Sequence, residues 1–306
     1  MKRQTLDKIF KNPRVLLSIF LHKLAFLFKN DKFYLQLAYR VKFGKELNLD
    51  NPKTFNEKLQ WLKLYDRRPE YITMVDKYDV KDYVAKKIGD EYIIPTLGVW
   101  DRVEDIDFNS LPQQFVLKVT HDSGGLVICK DKMKLDIEKA KRKLNRSLKK
   151  DYFIASREWP YKDVPHRIIA EKYMSDNGAE LADFKIHNFN GIPKIILVCR
   201  DRYSKTGLKE DFFNERWEHL DLSRPNCQHS DIVEPAPKEL NEMLTLAKTL
   251  SKDIPFVRTD FYIIDHHVYF GEITFFPSSG LKPFEPDHWD SILGSWIDLP
   301  SKDVRI

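Results

Sequence analysis

Five ionisable side chains stand inside apolar, strand-like runs of the sequence. Lys118 lies in Phe-Val-Leu-Lys-Val (115–119), Glu171 in Arg-Ile-Ile-Ala-Glu-Lys-Tyr-Met (167–174) and Lys185 in Leu-Ala-Asp-Phe-Lys-Ile-His-Asn-Phe (181–189). Asp260 lies in Val-Arg-Thr-Asp-Phe-Tyr-Ile-Ile (257–264), and Glu272 in Val-Tyr-Phe-Gly-Glu-Ile-Thr-Phe-Phe (268–276). A charge among apolar neighbours is costly unless it meets a partner. Strand alternation with one wet face explains any single case. Two lysines and three carboxylates together fit better as one polar site.

Such a set suits nucleotide-phosphate binding. Lysine offers phosphate a point charge, and paired carboxylates hold Mg²⁺, which bridges phosphate oxygens. Asp260 and Glu272 fall on successive strands joined by the short turn Asp265-His266-His267. Facing the same way, they would share a metal; held together without one, they would repel each other. Ser123-Gly124-Gly125 follows the Lys118 strand, and its backbone N–H groups would close over phosphates that Lys118 meets. There is no GxxxxGK[ST], no GxGxxG ahead of a helix and no kinase HRD or DFG, which excludes P-loop, dinucleotide and kinase frameworks. No Ser-His-Asp or Cys-His constellation stands out. His266 and His267 read as exposed turn residues, and Arg200-Asp201-Arg202 as a surface ion pair or a substrate-facing group.

The elements that must position these residues begin with helices. Thr54 and Glu57 have the spacing of a capping box, and Phe55, Leu59, Trp61, Leu62 and Leu64 give a helical face. A second helix is expected over Val75–Ile88, stopped by Gly89. Strand signals follow at 115–119 and 126–129 around the glycine-rich turn, then at 167–174. Residues 181–189 and 193–199 pair across Asn190-Gly191, a hairpin turn, and 256–264 pairs with 268–276. A very basic helix (135–152) and an amphipathic helix (237–252) are interspersed. Helices first, then a mostly antiparallel sheet, is an α+β pattern.

Composition agrees with a folded chain: 306 residues, 42% hydrophobic, 13% aromatic and 32% charged. Disorder would need fewer aromatics, and no repeat period appears. A net charge of +5 is too small to argue for nucleic acid, and the basic helix reads as a solvated face. Cys129, Cys199 and Cys227 are sparse, which argues against a disulfide scaffold or structural zinc and for a reducing cytoplasm. Trp217, Trp289 and Trp296 read as packing residues. Residues 1–32 carry eight Lys/Arg against two Asp around the apolar run 15–28. That run is shorter than the roughly 20 residues of a membrane span, and no small-residue cleavage site follows it. It reads either as a docking helix or as a basic amphipathic helix making peripheral contact, through residues 1–30, with an anionic membrane surface.

The ordered motifs resemble the ATP-grasp superfamily. They are Asp76-Lys77, Phe115-Val-Leu-Lys118 with its glycine-rich loop, Ile168-Ile-Ala-Glu171-Lys172-Tyr173, Arg258-Thr-Asp260 and Gly271-Glu272-Ile-Thr274. Thr54-Phe-Asn-Glu-Lys58, Asp76-Lys-Tyr78 and Gly271-Glu-Ile-Thr-Phe-Phe-Pro-Ser-Ser-Gly280 are similar to its TupA-like branch, which is named for teichuronopeptide synthesis and commonly found among bacterial surface-polysaccharide genes. The resemblance implies two α+β lobes holding ATP and Mg²⁺ between them. The lobes would be a small one at 113–175 with the glycine-rich loop and a large one at 176–306 with the metal carboxylates. A basic helical segment (1–48) and a helical pre-grasp region (49–112) would precede them. By position it implies Lys77 and Lys118 on the phosphates, with Ser123, Gly124 and Gly125 over them. Glu171 and the Lys172–Tyr173 backbone would meet the nucleoside. Arg258 would steady the transferred phosphoryl group, Lys185 would contact phosphate or substrate, and Asp260, Glu272 and Thr274 would be at the metal. Thr274 departs from the usual Asn, and a hydroxyl ligates magnesium less readily than an amide oxygen, so one-metal and two-metal geometries both stay open.

The implied activity is a carboxylate–amine ligation through an acyl phosphate. Its expected partners are a carboxylated sugar or polysaccharide precursor and an amine, in the cytoplasm, with no nucleic acid. A glycosyltransferase of surface-polysaccharide (capsule or lipopolysaccharide) synthesis is the alternative. Against it stands a Lys118 loop that would have no task there.

Overall fold

The computed structural model describes residues 13–122, 124–175, 181–201, 204, 207–225, 227–230 and 235–301. Ser123 and Arg202 lie outside the described residues, as does the N-terminal stretch before residue 13. Helices α1 (Pro13–Lys23) and α2 (Asp31–Phe43) come first. Helix α3 (Phe55–Tyr65) begins at the expected capping box: the Thr54 hydroxyl accepts from Glu57 N–H, and the Glu57 carboxylate accepts from Thr54 N–H at 3.1 Å. The helix expected over Val75–Ile88 starts only at Asp79, as α5 (Asp79–Ile88), and a separate helix, α4 (Glu70–Val75), ends just before it. The Asp76 carboxylate causes the break by accepting from the N–H groups of Tyr78 (2.7 Å) and Asp79 (3.1 Å), in competition with helical bonding.

Strands β1 (Thr96–Trp100), β2 (Phe115–Val119), β3 (Leu126–Cys129) and β4 (Ile168–Lys172) form an antiparallel sheet of order β1-β4-β2-β3. Its edge strand β1 comes from the stretch that sequence assigned to the helical region. Alternation along β2 buries Phe115, Leu117 and Val119 against Leu144 of α6 (Ile137–Leu148), together with Val103, Phe108, Ile168 and Ala170. Each such side chain contributes about 1.5–3 kcal/mol. The other face presents Val116 and Lys118. Helix α6 ends earlier than Tyr152, because Asp151 caps a separate short helix, α7 (Tyr152–Ser156), through Ile154 N–H.

The larger sheet has the order β7-β6-β5-β8-β9, from β5 (Asp183–Phe189), β6 (Ile192–Arg200), β7 (Lys209–Asn214), β8 (Phe256–Ile264) and β9 (His267–Thr274). Asn190 and Gly191 have φ of 50° and 77°, as do Asp265 and His266 at 51° and 61°, so both hairpins turn in the left-handed conformation that matches strand twist. Helix α8 (Leu240–Leu250) packs on one face through Met243, Leu246, Ala247 and Leu250. Helix α9 (His288–Ser295) closes on α3, where Gly294 leaves no room for a Cβ, which would come within 2.2 Å of the Lys53 carbonyl.

Candidate functional site

The face of the larger sheet away from α8 carries the charges. Register puts Lys185 opposite Asp260 and Asp260 opposite Glu272, one transverse row across β5, β8 and β9. The next row is His187, Arg258 and Thr274. A bulge makes this work. Asp260 pairs with Glu272 and Phe261 with Phe270, so Gly271 is an extra residue in β9. Without it, Glu272 and Phe270 would share a face; with it, Phe270 enters the core and Glu272 turns to the cleft.

Contacts in the row are ionic. Arg258 grips Asp260 with two parallel bonds of 2.6 Å and reaches Glu272 at 2.7 Å and the Thr274 hydroxyl at 3.0 Å. Lys185 sits 2.5 Å from both Asp260 and Asp183. Repulsion between two bare carboxylates, expected from sequence, is therefore corrected: Asp260 and Glu272 share an arginine. The wet-face alternative for Lys185 fails too, since it is buried. Burial disfavours the charged forms of Arg258 and Lys185, but the carboxylates around them, Asp260 first with Glu272 and Asp183, together outweigh it, and both are raised above their ordinary ranges. His187, buried beside Arg224 and Arg258, is held well below the usual histidine value, first by burial.

Across the cleft, Glu171 bridges Lys118 (2.5 Å) and Lys81 (2.6 Å). Burial pushes Glu171 up, yet the two lysines hold it at about 2. Lys118 is depressed by burial but raised further by Glu171, then by Glu272 and Asp183, so the two sheets face each other electrostatically. Lys77 is held below the ordinary lysine range, by burial and by Lys118, although Glu272 works the other way. It donates to the Asp122 carbonyl at 3.0 Å, tying itself to the glycine-rich loop. In that loop Asp122 accepts from Gly124 N–H at 3.0 Å and from Ser147, and a Cβ on Gly125 would meet Ser147 Oγ at 2.6 Å. Gly125 is thus required by the packing of α6.

Five cations (Lys77, Lys81, Lys118, Lys185, Arg258) meet four carboxylates (Glu171, Asp183, Asp260, Glu272), and at Lys77 burial and Lys118 outweigh the pull of Glu272, Asp122 and Asp76. The surplus suits an anion. Asp260, Glu272 and Thr274 offer only oxygen, which suits a hard divalent cation. Both Asp260 oxygens are held by Arg258 and Lys185, so the residues fit phosphate and cation together better than a cation alone.

Lys172 and Tyr173 lie apart from this row and line a cavity of about 670 Å³ with Leu97, Gln114 and Lys130. The Lys172 N–H is committed to the Pro95 carbonyl at 3.0 Å, so a base read at that strand would use other backbone groups. Sequence reasoning missed Lys81, Asp183 and Arg224. Lys81 stands one turn after Lys77 and Asp183 two residues before Lys185, so both spacings were signals. Buried Arg224, in the loop after β7, packs over the rings of Phe212 and Phe284 and donates to Ser278 Oγ at 3.3 Å. No local pattern marks it. His266 is exposed as expected, and Arg200 is half-buried with its nearest guanidinium nitrogen 3.9 Å from Asp211.

Two antiparallel sheets with helices, facing each other across a charged cleft, define an α+β architecture of the ATP-grasp class. The chain belongs to the TupA-like ATPgrasp family, whose model matches residues 57–298. Among solved structures, the D-alanine–D-alanine ligase from Bacillus anthracis in complex with ATP is similar at 15% identity and TM-score 0.39, over 66% of this chain and 53% of that one. This chain therefore spans about half of that ligase. The Helicobacter pylori D-alanine–D-alanine ligase gives 16% identity and TM-score 0.40, over 80% of this chain and 69% of that one. A RimK-domain ATP-grasp protein from Sphaerobacter thermophilus gives 9% and 0.40, over 74% and 67%. No curated protein gives a match.

Proposed function

We propose that this protein is an ATP-dependent carboxylate–amine ligase. A substrate carboxylate oxygen attacks the γ-phosphorus of ATP, ADP leaves, and an acyl phosphate forms. An amine nitrogen then bonds to the acyl carbon, releasing inorganic phosphate and a proton. The observation that carries this reading is the Lys185–Asp260–Glu272 row with Arg258, facing Lys118 and Lys77 across one cleft.

In this reading Lys77 and Lys118 receive phosphate oxygens, and Ser123, Gly124 and Gly125 close over them. Glu171 holds Lys118 and Lys81 in place, and the strand end at Lys172–Tyr173 borders the base. Asp260, Glu272 and Thr274 hold magnesium, which when bound neutralises phosphate charge. Arg258 and Lys185, held beside Asp260, would steady the transferred phosphoryl group and the acyl oxygen. The residues act by position and charge, and none serves as a covalent nucleophile.

The family and the basic N-terminus support a carboxylated sugar or polysaccharide precursor as substrate, handled in the cytoplasm at the membrane face. Helix α1 leaves Val15, Leu16, Leu17, Ile19 and Phe20 exposed beside Arg14 and Lys23, which suits an anionic lipid surface. Among the described residues no helix is long and apolar enough to cross a membrane.

The test is ADP release over a panel of carboxylated sugars and amines, with magnesium. ADP that forms only when both substrates are present supports the ligase. Thermal stabilisation by a UDP- or GDP-sugar with indifference to ATP would instead mark a glycosyltransferase.

A further inference from the structure

Away from the cleft, one group of His and carboxylate side chains among the described residues brings three ligand atoms within 4.8 Å of one another: Asp211, His219 and His229. Asp211 is on β7, the edge strand of the larger sheet, opposite Val198, whereas its neighbour Phe212 lies opposite Leu197 in the Lys185 row. Alternation therefore sends Asp211 to the opposite face from Asp260. The group is separated from the magnesium ligands proposed above by the sheet itself.

Two of its three edges have lengths that a cation site would use. Asp211 Oδ1 is 3.6 Å from His219 Nε2 and 3.4 Å from His229 Nδ1. Both spacings exceed the roughly 2.7–3.2 Å of an N–H···O hydrogen bond. They match the edge of a tetrahedron around an ion with bonds of about 2.0–2.1 Å, which is about 3.3 Å. The carboxylate is buried and oriented from behind: Ser230 Oγ donates to Oδ2 at 2.5 Å, and Ser230 N–H reaches both oxygens at 3.2 and 3.3 Å. The Arg200 guanidinium stands 3.9 Å from Oδ2, on the oxygen not shared by the histidines. Both imidazoles are part-exposed, so an ion has access and their third edge can close.

Backbone bonds bring the histidines here. Residues 215–225 leave β7 and residues 227–230 lie back along it, with Leu220 N–H on the Phe212 carbonyl and Glu210 N–H on the Gln228 carbonyl, both at 2.8 Å. The same excursion carries Arg224 to the cleft face, beside Phe212 and Ser278. We propose that Asp211, His219 and His229 bind a first-row transition ion, zinc in the first instance, which clamps this excursion to the sheet edge and so fixes the segment that delivers Arg224. Imidazole with one carboxylate selects such ions over magnesium, and three protein ligands leave one position for water.

The test uses the full chain, free of any polyhistidine tag, stripped with a chelator and titrated with Co²⁺. One equivalent should give the visible bands of four-coordinate cobalt, displaced by Zn²⁺ and unaffected by excess Mg²⁺. His219→Ala and His229→Ala change exposed side chains, should leave the fold intact by circular dichroism, and should weaken binding by about 100-fold or more. Zinc should also slow proteolysis within 215–230 in wild type and in neither variant. Absent bands in wild type, or bands that persist in both variants, would overturn the proposal. Neither result bears on ATP turnover, which is read separately.

Discussion

Glu171→Gln removes one negative charge from between two lysines while keeping the side chain's shape. Lys118 and Lys81 lie 2.5 and 2.6 Å from its carboxylate, which is 7% exposed. Burial alone would raise its pKa, but the lysines hold it at about 2 against an ordinary 4.5. That difference is worth about 3 kcal/mol to the folded state, in line with the roughly 3–5 kcal/mol lost on breaking a buried pair. A depressed carboxylate stabilises fully above its unfolded pKa, so the contribution is present above 4.5 and is lost as pH falls through about 2. Urea unfolding should show the variant less stable by about 3 kcal/mol at neutral pH, the gap narrowing to about 1 kcal/mol near pH 3. A variant within about 0.5 kcal/mol of wild type at neutral pH, or a gap indifferent to pH, would refute the assignment of Glu171 as the counter-ion of Lys118 and Lys81.

Asp260→Asn should destabilise by about 2 kcal/mol in the same assay, because Lys185 and Arg258 lose their shared partner, and ADP formation should fall by orders of magnitude. Equal or greater stability would restore the picture of two repelling carboxylates. Magnesium alone should leave the melting temperature nearly unchanged and ATP with magnesium should raise it, since cation and phosphate enter together; a large shift with magnesium alone contradicts this. Thr274→Asn should fold normally and lower the magnesium concentration needed for half-maximal ADP release. Deleting residues 1–30 should abolish sedimentation with anionic vesicles while sparing the ATP-induced shift, and an insoluble truncation would identify α1 as a packing helix.

Much of the fold is written locally. The capping box at Thr54, the Asn190-Gly191 hairpin and the alternation of β2 each act within a few residues, so one-dimensional spacing suffices to read them. The charges within the strands were legible for the same reason: Lys118, Glu171, Lys185, Asp260 and Glu272 each break an apolar run, and each meets an opposite charge in the structure. Partner choice was not legible. Asp76 could have been a helical residue, and only its bonds to Tyr78 and Asp79 delay the helix start to Asp79. Arg224 reaches the cleft from a loop with no periodicity, and Asp211 meets two histidines only because that loop doubles back along β7. The face of Glu272 depends on a single extra residue, Gly271, against β8. Alternation read from sequence would put Glu272 with Phe270. The sheet decides otherwise, because burying Phe270 and pairing Glu272 with Arg258 can both be satisfied only if one residue is left unpaired between them.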